Sequence, residues 1–250
     1  MKIINLDSKF EISNAQISFA ESVIIIGEDE PVKEYDSISI LMNEIPIFLL
    51  SPRSMPDEDK GHSEKPSSEW LGFYQHSCRI MGIDTPIIGL CPERIIGCVN
   101  NDDELIILIA KVIIHEFAHA KMMLHPRANY QPIDEFYKWM EEPMANLITL
   151  EYFKYFERGY RHRRTKLAYA TTLISPFDYV KKFISQQPDN YRLGLDLFEH
   201  RVFQWWIWRN QKAEIQIKSK EKADWLNYVK PNVGRTDEKT LQKLFDELHK

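Results

Sequence analysis

The chain has 250 residues, 44% of them hydrophobic and 28% charged, with a formal net charge of −5 at pH 7. This is the balance of a globular protein with room for a sizeable core, and it excludes a low-complexity or collagen-like chain. Met1–Asp7 carries no apolar signal run, no stretch is long enough to span a membrane, and the cysteines (Cys78, Cys91, Cys98) lack C-x-x-C spacing. A cytoplasmic protein with buried thiols, and without a disulfide framework or membrane partner, is therefore expected.

In chain order, residues 1–50 read as strands at Lys2–Leu6, Ala15–Ile26 and Ser37–Leu50, separated by polar turns. Residues 51–68 are rich in Pro, Ser and charge and read as a long loop, either an insertion or an active-site flap. Residues 69–83 read as a helix, and Pro86–Val99 as strand, turn and strand. Leu105–Met123 reads as a helix that is apolar on nearly every face over Leu105–Ile114, hence buried. Asn101, Asp102, Asp103 and Glu104 supply its cap and first-turn acids. Helices follow at 133–141, 143–158, 162–174, 176–186, about 191–212 and 237–249. Strands first and helices after predict an α+β architecture. Residues 1–150 are expected to form the core, a small sheet packed on the buried helix, and 151–250 a mostly helical extension.

The buried helix carries His115-Glu116-Phe117-Ala118-His119, an H-E-x-x-H pattern. Histidines four apart on a helix point the same way, one turn apart. Both imidazoles can then bind one zinc, with the glutamate as base on a zinc-bound water. Burying these side chains is costly unless they have partners, and a metal is such a partner. The bland alternative is two hydrogen-bonded core histidines.

A catalytic zinc takes three protein ligands and keeps a position open. His125 completes the metzincin spacing, but Met122 stands where metzincins have a turning glycine. On a continuing helix His125 would lie about 80° from His115. It also fits a plain helix-terminal histidine ahead of Pro126. The other candidates lie in Glu141-Glu142-Pro143-Met144-Ala145-Asn146. With the H-E-x-x-H, this stretch resembles the gluzincin clan of zinc metallopeptidases, and small cytoplasmic (minigluzincin-like) members in particular. The resemblance covers roughly residues 85–150. It implies His115, His119 and Glu142 as ligands of one zinc per chain, Glu116 as base, and Asn146 as the hydrogen-bond partner of His115. Pro143 disfavours helical geometry at Glu142. It fits best in the first turn of the 143–158 helix, so Glu141 stays a competing ligand. The clan also implies a downstream oxyanion donor, for which His200, Tyr191, Tyr155 and Tyr160 qualify and no spacing rule chooses. It implies an edge strand beside the cleft, expected within 86–99, that pairs with an extended substrate.

The expected function is thus zinc-dependent hydrolysis of peptide bonds in an intracellular protein or peptide. The alternative is a non-catalytic zincin-fold binding module. Residues 1–150 hold 12 Lys+Arg against 24 Asp+Glu, and residues 151–250 hold 20 against 13. The basic cluster from Lys154 to Lys166 could engage an acidic protein, but one short cluster is a weak footprint for nucleic acid.

Overall fold

The computed structural model describes residues 1–28, 38–55, 70–80, 83–124, 135–163 and 174–188, with 191, 192, 194, 195 and 198. Among these it is a mixed α and β protein with a four-stranded sheet and six helices. In chain order they are β1 (Ile3–Asn5), α1 (Asn14–Gly27), α2 (Ile38–Glu44), β2 (Ile47–Leu49), β3 (Gly72–Ile80), β4 (Ile83–Leu90), α3 (Pro92–Gly97), α4 (Asp102–Leu124), α5 (Glu135–Arg163) and α6 (Pro176–Ser185). The chain forms two compact units, Met1–Met122 with Tyr152–Val180, and Met123–Glu151 with Lys181–Lys250.

The first unit holds the sheet, in the order β1-β2-β4-β3. β1, β2 and β4 run parallel, and β3 pairs antiparallel with β4 as an edge strand. Alternation along a strand sorts the side chains onto two faces. Ile47, Leu49, Ile88 and Leu90 share one face with Gly72 and Tyr74, and these four aliphatics are almost wholly buried. Phe48, Ile87 and Phe73 share the other, in a cluster with Leu50, Met55, Cys91, Ile4 and Trp70. There the Phe73 ring lies across the ladder on Gly89, where a Cβ would collide with it.

Two segments expected as strands are helices, and the first has a clear cause. Ala15–Ile26 lies in α1, whose start is a capping box. Ser13 Oγ accepts from the Gln16 amide, and Gln16 Oε1 accepts from the Ser13 amide at 2.8 Å. That box satisfies two helix-end donors and nucleates a helix despite the β-branched residues that follow. α1 packs on the end of α5, with Phe19 edge-on to Phe156 at 5.5 Å, and the Tyr152 hydroxyl donating to Glu28 Oε1 at 3.0 Å. Ser37–Leu50 is strand only at β2 and is helix over Ile38–Glu44.

The opposite correction applies at 69–83, which is the strand β3 and not a helix. Phe73 and Tyr74 are strand-favouring aromatics, and pairing with β4 decides the matter. In 86–99 only the first part is strand, the end of β4. Pro92 then opens α3 at its first turn, where a missing amide proton does no harm. Strands and helices therefore interleave. Of the thiols, Cys91 is buried but Cys98 is exposed, and neither is in a disulfide.

α4 is as the sequence predicts. Asn101 Oδ1 accepts from the Glu104 amide at 2.9 Å, and Glu104 Oε2 accepts from the Asn100 amide at 2.8 Å. Every residue from Ile107 to Ala120 is buried. α6 matches the expected 176–186 helix to within a residue.

α5 is one continuous helix and not two, with residues in both units and Pro143 in its interior. An interior proline costs about 3 kcal/mol of helix stability. Pro143, Met144, Ala145, Asn146 and Leu147 are all buried, so packing overrides the local preference. Most of the expected 51–68 loop, and of the helices at 162–174, 191–212 and 237–249, lies outside the described residues.

Candidate metal centre

α4 presents the two histidines as helix geometry requires. His115 and His119 are 5% and 6% exposed, so water contributes little to satisfying them. Their Nε2 atoms are 3.2 Å apart, with rings 4.8 Å between centroids and inclined at 84°. Zinc–nitrogen bonds of 2.0–2.1 Å at tetrahedral angles put two ligand nitrogens about 3.3 Å apart. The pair therefore stands at the spacing a shared ion needs. A direct N–H···N hydrogen bond would hold it at a similar distance. The donor set decides what fits. Two imidazoles and a carboxylate would suit zinc, and His115, His119 and Glu142 are such a group that could hold a metal, one ligand atom each within 4.8 Å of one another. Glu142 is half-buried, one residue before Pro143 inside α5.

Glu116 is also buried, at 5% exposure. It lies about 100° around α4 from His115, and its carboxylate meets the start of β3. A Cβ on Gly72 would stand 3.1 Å from Glu116 Oε1 and 2.8 Å from Val112 Cγ1. The general-base candidate thus abuts the first residue of the edge strand. β4 is paired by β2 on one side and β3 on the other, so the edge strand expected within 86–99 is not found there; among the described residues β3 stands at the end of the strand order. Gly72 and Tyr74 are the residues that sequence reasoning missed, because 69–83 reads as a helix and no helical spacing links Gly72 to the motif. The alternation of Gly72 and Tyr74 with Phe73 was the available signal. Burial pushes the Tyr74 phenol up to about 12, so it remains a proton donor at neutral pH.

Asn146, four residues after Glu142, is fully buried. Its Nδ2 donates to the Tyr191 carbonyl at 3.1 Å and to Gln187 Oε1 at 3.5 Å, while Oδ1 accepts no hydrogen bond among the described residues. Tyr191 thus meets Asn146 through its backbone carbonyl. Tyr155 is thirteen residues beyond Glu142, roughly 20 Å along the helix, with the Arg158 guanidinium 6.0 Å from its ring centroid. The side chains of Glu141 and Tyr160, and all of His125 and His200, lie outside the described residues.

No model of a known protein family matches the chain, and neither a curated protein nor a solved structure is found similar to it.

Proposed function

We propose that the chain is a zinc-dependent peptidase of the gluzincin kind, acting on a protein or peptide segment laid along the outer edge of β3. The observation that carries the reading is the pair of buried imidazole nitrogens 3.2 Å apart, with Glu116 between them in sequence and turned against an edge strand. In this reading the small sheet packs on the zinc helix. His115, His119 and Glu142 hold one zinc per chain. The resemblance would have Asn146 orient His115 through Oδ1, which accepts no hydrogen bond among the described residues.

Bound there, zinc supplies Lewis acidity, polarising a substrate carbonyl and acidifying a water. Glu116 takes a proton from the attacking water and passes it to the leaving amine as the C–N bond breaks. The products are a carboxylate and an amine, and the glutamate ends as it began. The β3 edge holds the substrate extended through main-chain hydrogen bonds, which favours recognition of shape over side-chain identity.

Metal analysis by mass spectrometry, beside peptide cleavage by wild type and Glu116→Gln, tests this. One zinc per chain in both proteins, with cleavage lost in Glu116→Gln, is expected. A chain that binds no zinc overturns the reading. One zinc without cleavage of any peptide favours the alternative, a zincin-fold binding module whose basic Lys154–Lys166 segment engages a partner. If Glu142→Ala leaves zinc affinity intact while His125→Ala abolishes it, the third ligand is His125.

A further inference from the structure

We infer that the 187–194 segment is a lock on the Asn146 amide, and that Gly194 is the positioning residue that lets it close on α5. Asn146 stands one helical turn after Glu142, so the lock deepens the peptidase reading. It rests on that reading only for its effect on zinc.

Everything the lock needs lies within the second unit. The chain leaves α6 with Gln187 N donating to Ile184 O at 3.1 Å. It then turns at Pro188, whose carbonyl accepts from both Tyr191 N and Arg192 N at 3.0 Å. This turn brings Gln187 and Tyr191 to the same side chain of α5. Asn146 Nδ2 donates to Tyr191 O at 3.1 Å and to Gln187 Oε1 at 3.5 Å. A main-chain carbonyl can only accept, so the half of the amide that meets Tyr191 has to be the NH2 and not the oxygen. Nδ2 carries two protons, and two acceptors engage them. The amide is thereby held in one of its two orientations. These acceptors also select an amide over a carboxylate, which would set oxygen against oxygen. Oδ1 is left over on a fully buried side chain, accepting no hydrogen bond among the described residues. A buried acceptor without a donor is costly, so its place calls for an N–H group.

The segment lies this close to α5 because residue 194 has no side chain. A Cβ there would fall 2.5 Å from Pro143 O, 2.7 Å from Asn146 Cβ and 3.3 Å from Leu147 N. Two of these atoms are helix main chain and the third is bonded to it, so none is the free end of a flexible side chain. The φ of Gly194 is not in the left-handed region, so glycine serves clearance here and not backbone conformation. A methyl group at 194 has to lift the segment off α5, and the two acceptors leave Nδ2 with it.

The test uses the full-length chain and has two arms. The first needs no metal. In nitrogen-labelled protein, the two Asn146 side-chain amide protons, identified by their loss in Asn146→Ala, should exchange slowly with solvent by NMR. Gly194→Ala should release both. Gln187→Ala, which adds no bulk, should release one and keep the other. Fast exchange in wild type, or slow exchange of both protons in Gly194→Ala, overturns the lock. If Gly194→Ala does not fold, Gln187→Ala decides, and two protected protons there overturn it.

The second arm reads zinc affinity by competition with a chelator. Gly194→Ala should weaken it about tenfold, as expected for a misplaced hydrogen-bond partner behind a metal ligand. In an Asn146→Ala background the same substitution should change affinity by less than about twofold, since it acts through the amide. It should still lower the metal-free melting temperature as much as in wild type, because alanine keeps the Cβ that the added methyl meets. Equal zinc losses in the two backgrounds, or unchanged zinc affinity in Gly194→Ala, overturn the inference. A wild type that binds no zinc, with the first arm as expected, fails the metal reading and leaves the lock standing.

Discussion

α4 and β3 both border the candidate site, and they are built on opposite terms. α4 is buried over every residue from Ile107 to Ala120, so its side chains are held by packing on all sides and its histidines inherit a fixed separation from the helix itself. Among the described residues β3 pairs with β4 alone, and its side chains over Gly72–Tyr74 are half-buried. A metal demands rigid ligands placed to within fractions of an ångström, and a buried helix supplies them. An extended peptide demands unpaired backbone in a line, and only a sheet edge supplies that. Under the peptidase reading, metal binding on α4 and substrate recognition at the sheet can be altered separately, and Gly72 and Glu116 are where the two elements touch.

Four experiments would break or sharpen that contrast. The largest effect belongs to α4: His119→Ala should abolish both zinc retention and cleavage, read by metal content and peptide assay, because two remaining ligands rarely hold a catalytic zinc. Next, Glu116→Gln should lower kcat by 10²–10⁴-fold while leaving zinc in place, the usual contribution of a positioned general base. Turning to β3, Phe73→Ala lifts a ring off Gly89 and should destabilise the fold by about 2 kcal/mol in a denaturant titration, below the range for a fully buried phenylalanine. Zinc content should stay at one per chain. Loss of zinc in Phe73→Ala would show that the strand and the metal helix are not separable. The smallest effect concerns pH. The Tyr74 phenol is raised from 10 to about 12 by burial, so its folded pKa exceeds its unfolded one. Its contribution is fully present below pH 10 and is lost as pH rises towards 12. Tyr74→Phe should therefore flatten the alkaline limb of a stability–pH curve, and an unchanged limb would assign it to other groups, Tyr179 among them.

What was legible in the sequence follows the same division. α4 could be read because its identity is local: nine apolar residues over 105–114 broken only by Lys111, acids at its start, and two histidines whose spacing has meaning only on a helix. β3 could not, because an edge strand is defined by its partner, and nothing within residues 69–83 names residues 83–90 as that partner. α1 is a different kind of miss. The Ser13–Gln16 box is a local signal, and it overrides the strand preference of the β-branched residues after it. At Pro143 local preference argued for a break that burial of Pro143–Leu147 removes. The Glu142 candidate rested on sequence likeness to a motif, so it did not depend on where the helix began.

The extra residue in β3 between Gln75 and Cys78 has a bearing on solubility as well. A long, flat strand edge is a template on which any extended segment, including another copy of the same chain, can add indefinitely. A break after a few residues denies such growth a regular repeat.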